Sequence, residues 1–274
     1  MAQTPLIINA AISGSLSKNA MPNLPKDAED IGRMAVEVGK AGASIVHIHA
    51  KDDNGEHTGD VEYFKRAMTY IRDAGSDIII NFTTSFSASS TDDWETRFGP
   101  VTLGPEIASY DAGTMNFNDH VFANTPEFLR QLAVKMKEHG VKPEIEIFDA
   151  GQIGNAVRLA DEGLIDDPLY MQFVLGVNGG APATIKQLVH LVDSLPPGAV
   201  WSVAGIGRHQ LAMDTYAILM GGHARTGLED NWFYSKGRHA TNLELVERVA
   251  GLATTLGREI ATPAQAREIL GIAR

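Results

Sequence analysis

The feature that most constrains this chain is an alternation that runs along its whole length. Short apolar, β-branched runs recur, and longer amphipathic stretches separate them. That is the pattern of βα units wound around a parallel sheet. Eight runs read as strands, at 6–11, 44–50, 77–85, 107–113, 143–149, 169–177, 199–207 and 222–229. Ile78-Ile79-Ile80 is apolar at successive positions, as a strand covered on both faces must be. Between the runs, 27–41 carries Ile31, Met34, Ala35 and Val38 at helical spacing, and Gly42 follows its end. The stretch 125–139 opens Thr125-Pro126-Glu127, with Thr as cap and Pro at the first helical position. A further helix is expected over 242–256, and Thr262-Pro263 opens a short last one. Eight such units in 274 residues predict a (β/α)8 TIM barrel as one domain over 1–274. A doubly wound sheet would carry a Gly-rich phosphate turn after its first strand, and Ser13-Gly14-Ser15 is a poor version of one.

Composition narrows the chemistry. The chain has no cysteine, so disulfides, thiolate nucleophiles and Cys-ligated zinc are excluded, and any metal must sit on His, Asp or Glu. The 23 basic and 34 acidic residues give a net charge of −11, which argues against a nucleic-acid or membrane-surface binder. A few local Arg or Lys can still hold an anionic substrate. The N-terminus has no basic region before an apolar run, and no stretch approaches the ~20 apolar residues of a membrane span. The expected location is cytoplasmic.

In a barrel, reactive groups collect at the C-terminal ends of the strands and in the loops that follow. Those ends carry Asn9 and Ser13, His47-Ile48-His49, Thr83-Thr84-Ser85, Ser109 with Thr114 and Asn116 beyond, Glu144-Ile145-Glu146, and Arg225 through Asn231. Strand period two puts His47 and His49 on one face. Two imidazoles there can reach a tetrahedral zinc, and a carboxylate as third ligand would leave one position open. Two buried, hydrogen-bonded histidines would look the same in sequence. Glu146 and Glu144 share a face of strand five, as a reactive carboxylate or as an ion pair with a rim arginine. Glu229 and Asp230 are adjacent, so a regular strand would point them apart, whereas a strand terminus lets both face the site. Arg225 lies four residues before Glu229 and can orient either acid. Gly205-Ile206-Gly207-Arg208 reads as an anion nest or as a tight turn. A Schiff-base aldolase needs a lysine at a strand end. Lys142 lies on the wrong rim for that, and Lys51 shows no evident desolvating pocket. An amidohydrolase-type zinc barrel would carry its HxH on strand one and further histidines later.

These segments together resemble the β-keto acid cleavage enzymes. The likeness runs over nearly the whole chain. It includes Ala10-Ala11-Ile12-Ser13-Gly14, Gly42 through His49, Gly113-Thr114-Met115-Asn116-Phe117, Pro143-Glu144-Ile145-Glu146, Val203 through Arg208, and Gly221 through Asn231. The resemblance implies a Zn2+ ion on His47, His49 and Glu229, with Asp230 as proton-abstracting base and Arg225 and Glu146 beside it. It implies that Thr83 and Ser109 hold substrate, with Leu16 and Asn116 lining the same site. It also implies that a β-keto acid and acetyl-CoA are the substrates, giving acetoacetate and a new acyl-CoA, in a homo-oligomer, expected to be a tetramer. Two departures stand out. The family often reads HxHxR, where this chain has His49-Ala50-Lys51. Members that cleave an amino-bearing keto acid keep an acidic residue at the place of Leu16, so an uncharged tail is expected here and an anionic one ranks second. A barrel that binds a metal or CoA ester without turnover is the rival class, and the presence of both Asp230 and Arg225 argues against it.

Overall fold

The computed structural model describes residues 4–86 and 94–272. Eight strands, β1 (Ile8–Ala11), β2 (Ile45–Ile48), β3 (Ile79–Phe82), β4 (Ile107–Asp111), β5 (Lys142–Ile147), β6 (Tyr170–Leu175), β7 (Val200–Gly205) and β8 (His223–Thr226), close into a barrel in the order β1-β8-β7-β6-β5-β4-β3-β2. Every neighbouring pair is parallel. This is the expected (β/α)8 barrel. Around it lie α1 (Ala28–Lys40), α2 (Val61–Asp73), α3 (Trp94–Phe98), α4 (Pro126–Glu138), α5 (Gly151–Asp161), α6 (Ile185–Asp193), α7 (Gln210–Met220), α8 (Asn242–Thr255) and α9 (Pro263–Leu270).

The caps form as the sequence requires. Asp27 accepts the Glu29 and Asp30 N–H groups at the start of α1, and Thr125 accepts Phe128 N–H ahead of Pro126. Thr241 with Glu244 and Thr262 with Gln265 make capping boxes for α8 and α9.

Strand period two sorts the side chains into two sets. Val46, Ile48, Ile80 and Phe82 point outward and pack with α1 and α2 residues such as Ile31, Ala35 and Phe64. Ile7, Ile45, Ile79, Ile107 and Tyr170 point inward near the N-terminal end of the barrel, where Ala266 and Leu270 of α9 close its floor. Two residues further along the same inward faces the character turns polar: Asn9, His47, Asn81, Ser109 and Gln172 are all buried. An apolar floor under a polar upper layer is what directs the chemistry to one mouth.

Two hairpins stand over the C-terminal end, Met115–Phe117 with His120–Phe122 and Phe233–Ser235 with Arg238–His239. Most strands are shorter than the apolar runs that announce them. The eighth run, 222–229, pairs only as far as Thr226, because Gly227 turns the chain at φ +145°. A Cβ at Gly227 would lie 2.1 Å from the Ala11 carbonyl oxygen, so only glycine fits this crossing of β1 and β8. Among the described residues, no helix is long and apolar enough to cross a membrane.

Candidate active site and metal centre

The turn at Gly227 carries Glu229 back over the barrel mouth, where its N–H bonds the Ala11 carbonyl at 3.2 Å. There its Oε1 lies 3.6 Å from His47 Nε2 and 3.4 Å from His49 Nε2. His49 is held in register because its own N–H donates to Ser13 Oγ at 2.9 Å. One nitrogen from each imidazole and one Glu229 oxygen lie within 4.8 Å of one another, close enough to share an ion. The protonation states suit a cation. Burial pushes His47 down to about 3, so it is a neutral donor of a lone pair. Burial alone would raise Glu229, but His49, Arg225 and His47 hold its carboxyl well below the usual carboxylate range. Its second oxygen, Oε2, is buried with no hydrogen-bond partner among the described residues. A half-buried carboxylate facing two imidazole nitrogens, with one oxygen unpaired among the described residues, is a donor set that a divalent cation completes. A second cluster, His47 with Glu144 and Glu146, fits less well. Glu144 is already surrounded by the amides of Asn9, Gln172 and Asn81, which donate to it at 2.7, 2.8 and 2.5 Å.

Arg225 organises the acids. Its Nε and Nη2 grip both oxygens of Asp230 at 3.0 and 3.1 Å. The same Nη2 donates to Glu229 Oε1 at 2.6 Å. Nη1 reaches Glu146 Oε1 at 3.2 Å and Gln172 Oε1 at 2.9 Å. The planar fork thus fixes three carboxyls in one orientation. Burial opposes the charge on Arg225, and Asp230, Glu229 and Glu146 more than offset it. Burial raises Asp230 against the pull of Arg225, so its carboxylate is more basic than a free aspartate. Glu146 therefore does form the ion pair with a rim arginine that its sequence position allowed.

Asp111 belongs to this cluster, although the reading of the strand ends stopped at Ser109. It sits two residues further along the inward face of β4, is 4% exposed, and is the ladder partner of Glu146. Burial raises its carboxyl, and burial together with Asp111 pushes Glu146 well above the usual range. Period two from Ser109 was the signal that pointed to it. His57 was also missed: its Nε2 lies 3.1 Å from His49 Nδ1.

A cavity of about 640 Å3 opens above these groups. His47, His49, Glu229, Asp230, Arg225, Glu146, Thr83, Ser109 and Leu16 all line it. Ser109 Oγ accepts Thr84 N–H at 3.0 Å. Asn116 does not line the cavity. Hairpin alternation turns the buried Met115 inward and Asn116 out to solvent, and Asn118 lines the cavity instead. Two further readings change. Lys51 is fully buried, not open to solvent, and its ammonium donates to the Leu16 carbonyl, so it holds the loop after β1 rather than offering a free charge. In the glycine turn after β7, Gly207 N–H donates to the Asp230 carbonyl at 2.7 Å. That turn therefore positions Asp230, and its Gly207 amide is not free for a phosphate. Lys142 lies at the N-terminal end of β5 and donates to the Asp166 carbonyl at 2.8 Å, far from this mouth as expected.

Residues 5–272 match the family model described as beta-keto acid cleavage enzyme. The 3-keto-5-aminohexanoate cleavage enzyme of Fusobacterium nucleatum is 46% identical over 270 residues, covering 97% of this chain and 98% of that one. The 3-oxoadipate:acetyl-CoA acetyltransferase of Cupriavidus necator is 38% identical, covering 98% and 95%. Among solved structures, apo ObcA superposes with a TM-score of 0.80 at 21% identity, over 92% of this chain. This chain spans 66% of ObcA, so that likeness shows the shared barrel alone. The chain belongs to the beta-keto acid cleavage enzyme family.

Proposed function

We propose that the protein converts a β-keto acid and acetyl-CoA into acetoacetate and a new acyl-CoA, acting as one catalytic unit over 1–274. The observation that carries this reading is the juxtaposition of the His47–His49–Glu229 cluster with an Asp230 carboxylate locked by Arg225. The relatives named for acetyl-CoA transfer and keto acid cleavage agree with it.

The donor set suits Zn2+, which takes imidazole and carboxylate ligands and leaves an open fourth position. When bound, the ion supplies Lewis-acid polarisation of the keto and carboxylate oxygens. The remaining steps belong to the chain. Asp230 takes the proton from C2 of the β-keto acid, and burial favours its doing so by making it more basic. Arg225 grips both Asp230 oxygens, which fixes the direction of the transfer. Thr83, just after β3, and Ser109, on β4, line the same cavity as the substrate-holding positions. The C2 carbanion attacks the acetyl carbonyl, forming a C–C bond and releasing the CoA thiolate. The thiolate adds to the original keto carbon. The bond between that carbon and C2 then breaks, leaving acyl-CoA and acetoacetate, and the carbanion recovers the proton. The cavity is also lined by Leu16, Phe117, Phe122, Phe148, Val174 and Val177, which favours an uncharged, apolar substrate tail.

The test is a screen of β-keto acids with acetyl-CoA, scored for acetoacetate, on the wild type, His49→Ala and Asp230→Asn. His49→Ala loses metal by elemental analysis together with activity. Asp230→Asn keeps the metal and turns over about 100-fold more slowly or worse, the usual effect of a positioned base. Unchanged zinc in His49→Ala, or near-normal turnover in Asp230→Asn, contradicts the assignment.

A further inference from the structure

We infer that His57 is a positioning residue that fixes the tautomer and orientation of His49 for metal coordination, an inference that rests on the metal centre proposed above. His57 comes from a loop that doubles back on itself after β2. Asp52 Oδ1 accepts the N–H groups of Asn54 and Glu56, both at 2.9 Å, and the Gly55 N–H closes onto the Asp52 carbonyl at 2.9 Å. Gly55 takes φ +79°, and a Cβ there would meet the Lys26 carbonyl at 2.8 Å. The return leg bridges Lys51 to His57, and Thr58 N–H bonds the Ala50 carbonyl at 3.1 Å. The loop thereby lays the His57 ring beside His49, with ring centres 5.0 Å apart, and against Phe86 at 5.6 Å.

The hydrogen-bond direction follows from elimination. If Nε2 of His49 gives its lone pair to a metal, Nδ1 must carry the ring proton and donate it. The group facing that Nδ1 at 3.1 Å is His57 Nε2, which must then accept. His57 in turn keeps its proton on Nδ1, the nitrogen turned away from His49, while its ring rests against Phe86. His49 thus donates to His57, which leaves only one nitrogen of His49 unprotonated, the one facing Glu229. Outer partners of this kind raise ligand basicity and hold the ring in place.

The experiment measures zinc affinity by chelator competition in the wild type, His57→Leu and His57→Gln. Leucine removes the acceptor, and zinc affinity falls about 10- to 100-fold, the usual effect of deleting an outer partner of a metal-ligating histidine. Glutamine restores an acceptor oxygen, and affinity recovers toward the wild type. The metal-free variants unfold at the same temperature as the metal-free wild type, which separates positioning from general stability. His57→Leu binding zinc as tightly as the wild type overturns the inference, and so does an equal loss in both variants. In 15N-histidine-labelled, zinc-loaded wild type, His49 is protonated at Nδ1 and His57 is unprotonated at Nε2. A proton on His57 Nε2 overturns the inference even if His57→Leu fails to fold. A wild type that binds no zinc overturns the metal centre itself, and this inference with it.

Discussion

Arg225→Met tests the organisation of the mouth. Methionine preserves most of the buried stem and removes the charge. In the wild type the guanidinium meets Asp230, Glu229, Glu146 and Gln172 at 2.6 to 3.2 Å. At ~3 Å and an effective dielectric of ~20, each opposite charge contributes about 5 kcal/mol of raw attraction. Desolvation of the charges offsets most of that, and deleting one partner of a buried arrangement costs about 3–5 kcal/mol overall. The loss depends on pH in a direction that can be worked out. Without Arg225 the folded-state values of Asp230 and Glu229 both rise, because Arg225 lowers both. The folded variant then binds more protons than the folded wild type between each group's wild-type value, above 3.8 for Asp230 and well below 4.5 for Glu229, and its higher value in the variant. Stability falls with pH wherever the folded state holds the extra protons, so the deficit grows as pH rises through that range. Urea unfolding followed by far-UV circular dichroism, at pH 5 and at pH 8, measures it. A deficit below about 1 kcal/mol, the scale of an exposed ion pair, would refute the reasoning, as would a deficit equal at both pH values.

Two other expectations follow from the same geometry. Gly227→Ala places a Cβ 2.1 Å from the Ala11 carbonyl oxygen, against the Ala11 backbone; we expect a loss of about 1–3 kcal/mol and weakened zinc binding as Glu229 is displaced, and unchanged metal affinity by titration would show that the turn does not set Glu229. The proposed role of Leu16 in tail preference is testable: kcat/KM for 3-oxohexanoate should exceed that for 3-oxo-5-aminohexanoate and 3-oxoadipate, while Leu16→Glu should improve the amino substrate about tenfold, or ~1.4 kcal/mol; a wild type that already prefers the amino substrate disproves this role.

Much of the architecture was legible because periodicity is a local property. Alternation gave the eight βα units, and period two correctly placed His47 with His49 and Glu144 with Glu146 on inward faces. The same rule, carried two residues past Ser109, reaches Asp111. What local pattern does not encode is where loops return. The burial of Lys51 depends on the loop after β1 folding down so that Leu16 presents its carbonyl. The approach of His57 to His49 depends on the Asp52–Gly55 turn, whose residues were a usable signal. Asn116 turns out to solvent because a hairpin follows β4 and its alternation sends that side chain outward. The floor formed by α9 joins residues from opposite ends of the chain, and no window of sequence contains that contact.

The most direct test of the account follows carbon atoms. Zinc-loaded protein is incubated with an unlabelled β-keto acid and acetyl-CoA labelled with 13C at both acetyl carbons, and the products are read by NMR and mass spectrometry. The account predicts acetoacetate labelled at C3 and C4 and unlabelled at C1 and C2, formed in equal amount with an unlabelled acyl-CoA, because the acetyl group is joined to C2 of the keto acid before the old bond breaks. Label appearing in the new acyl-CoA, or consumption of the keto acid without labelled acetoacetate, would contradict it.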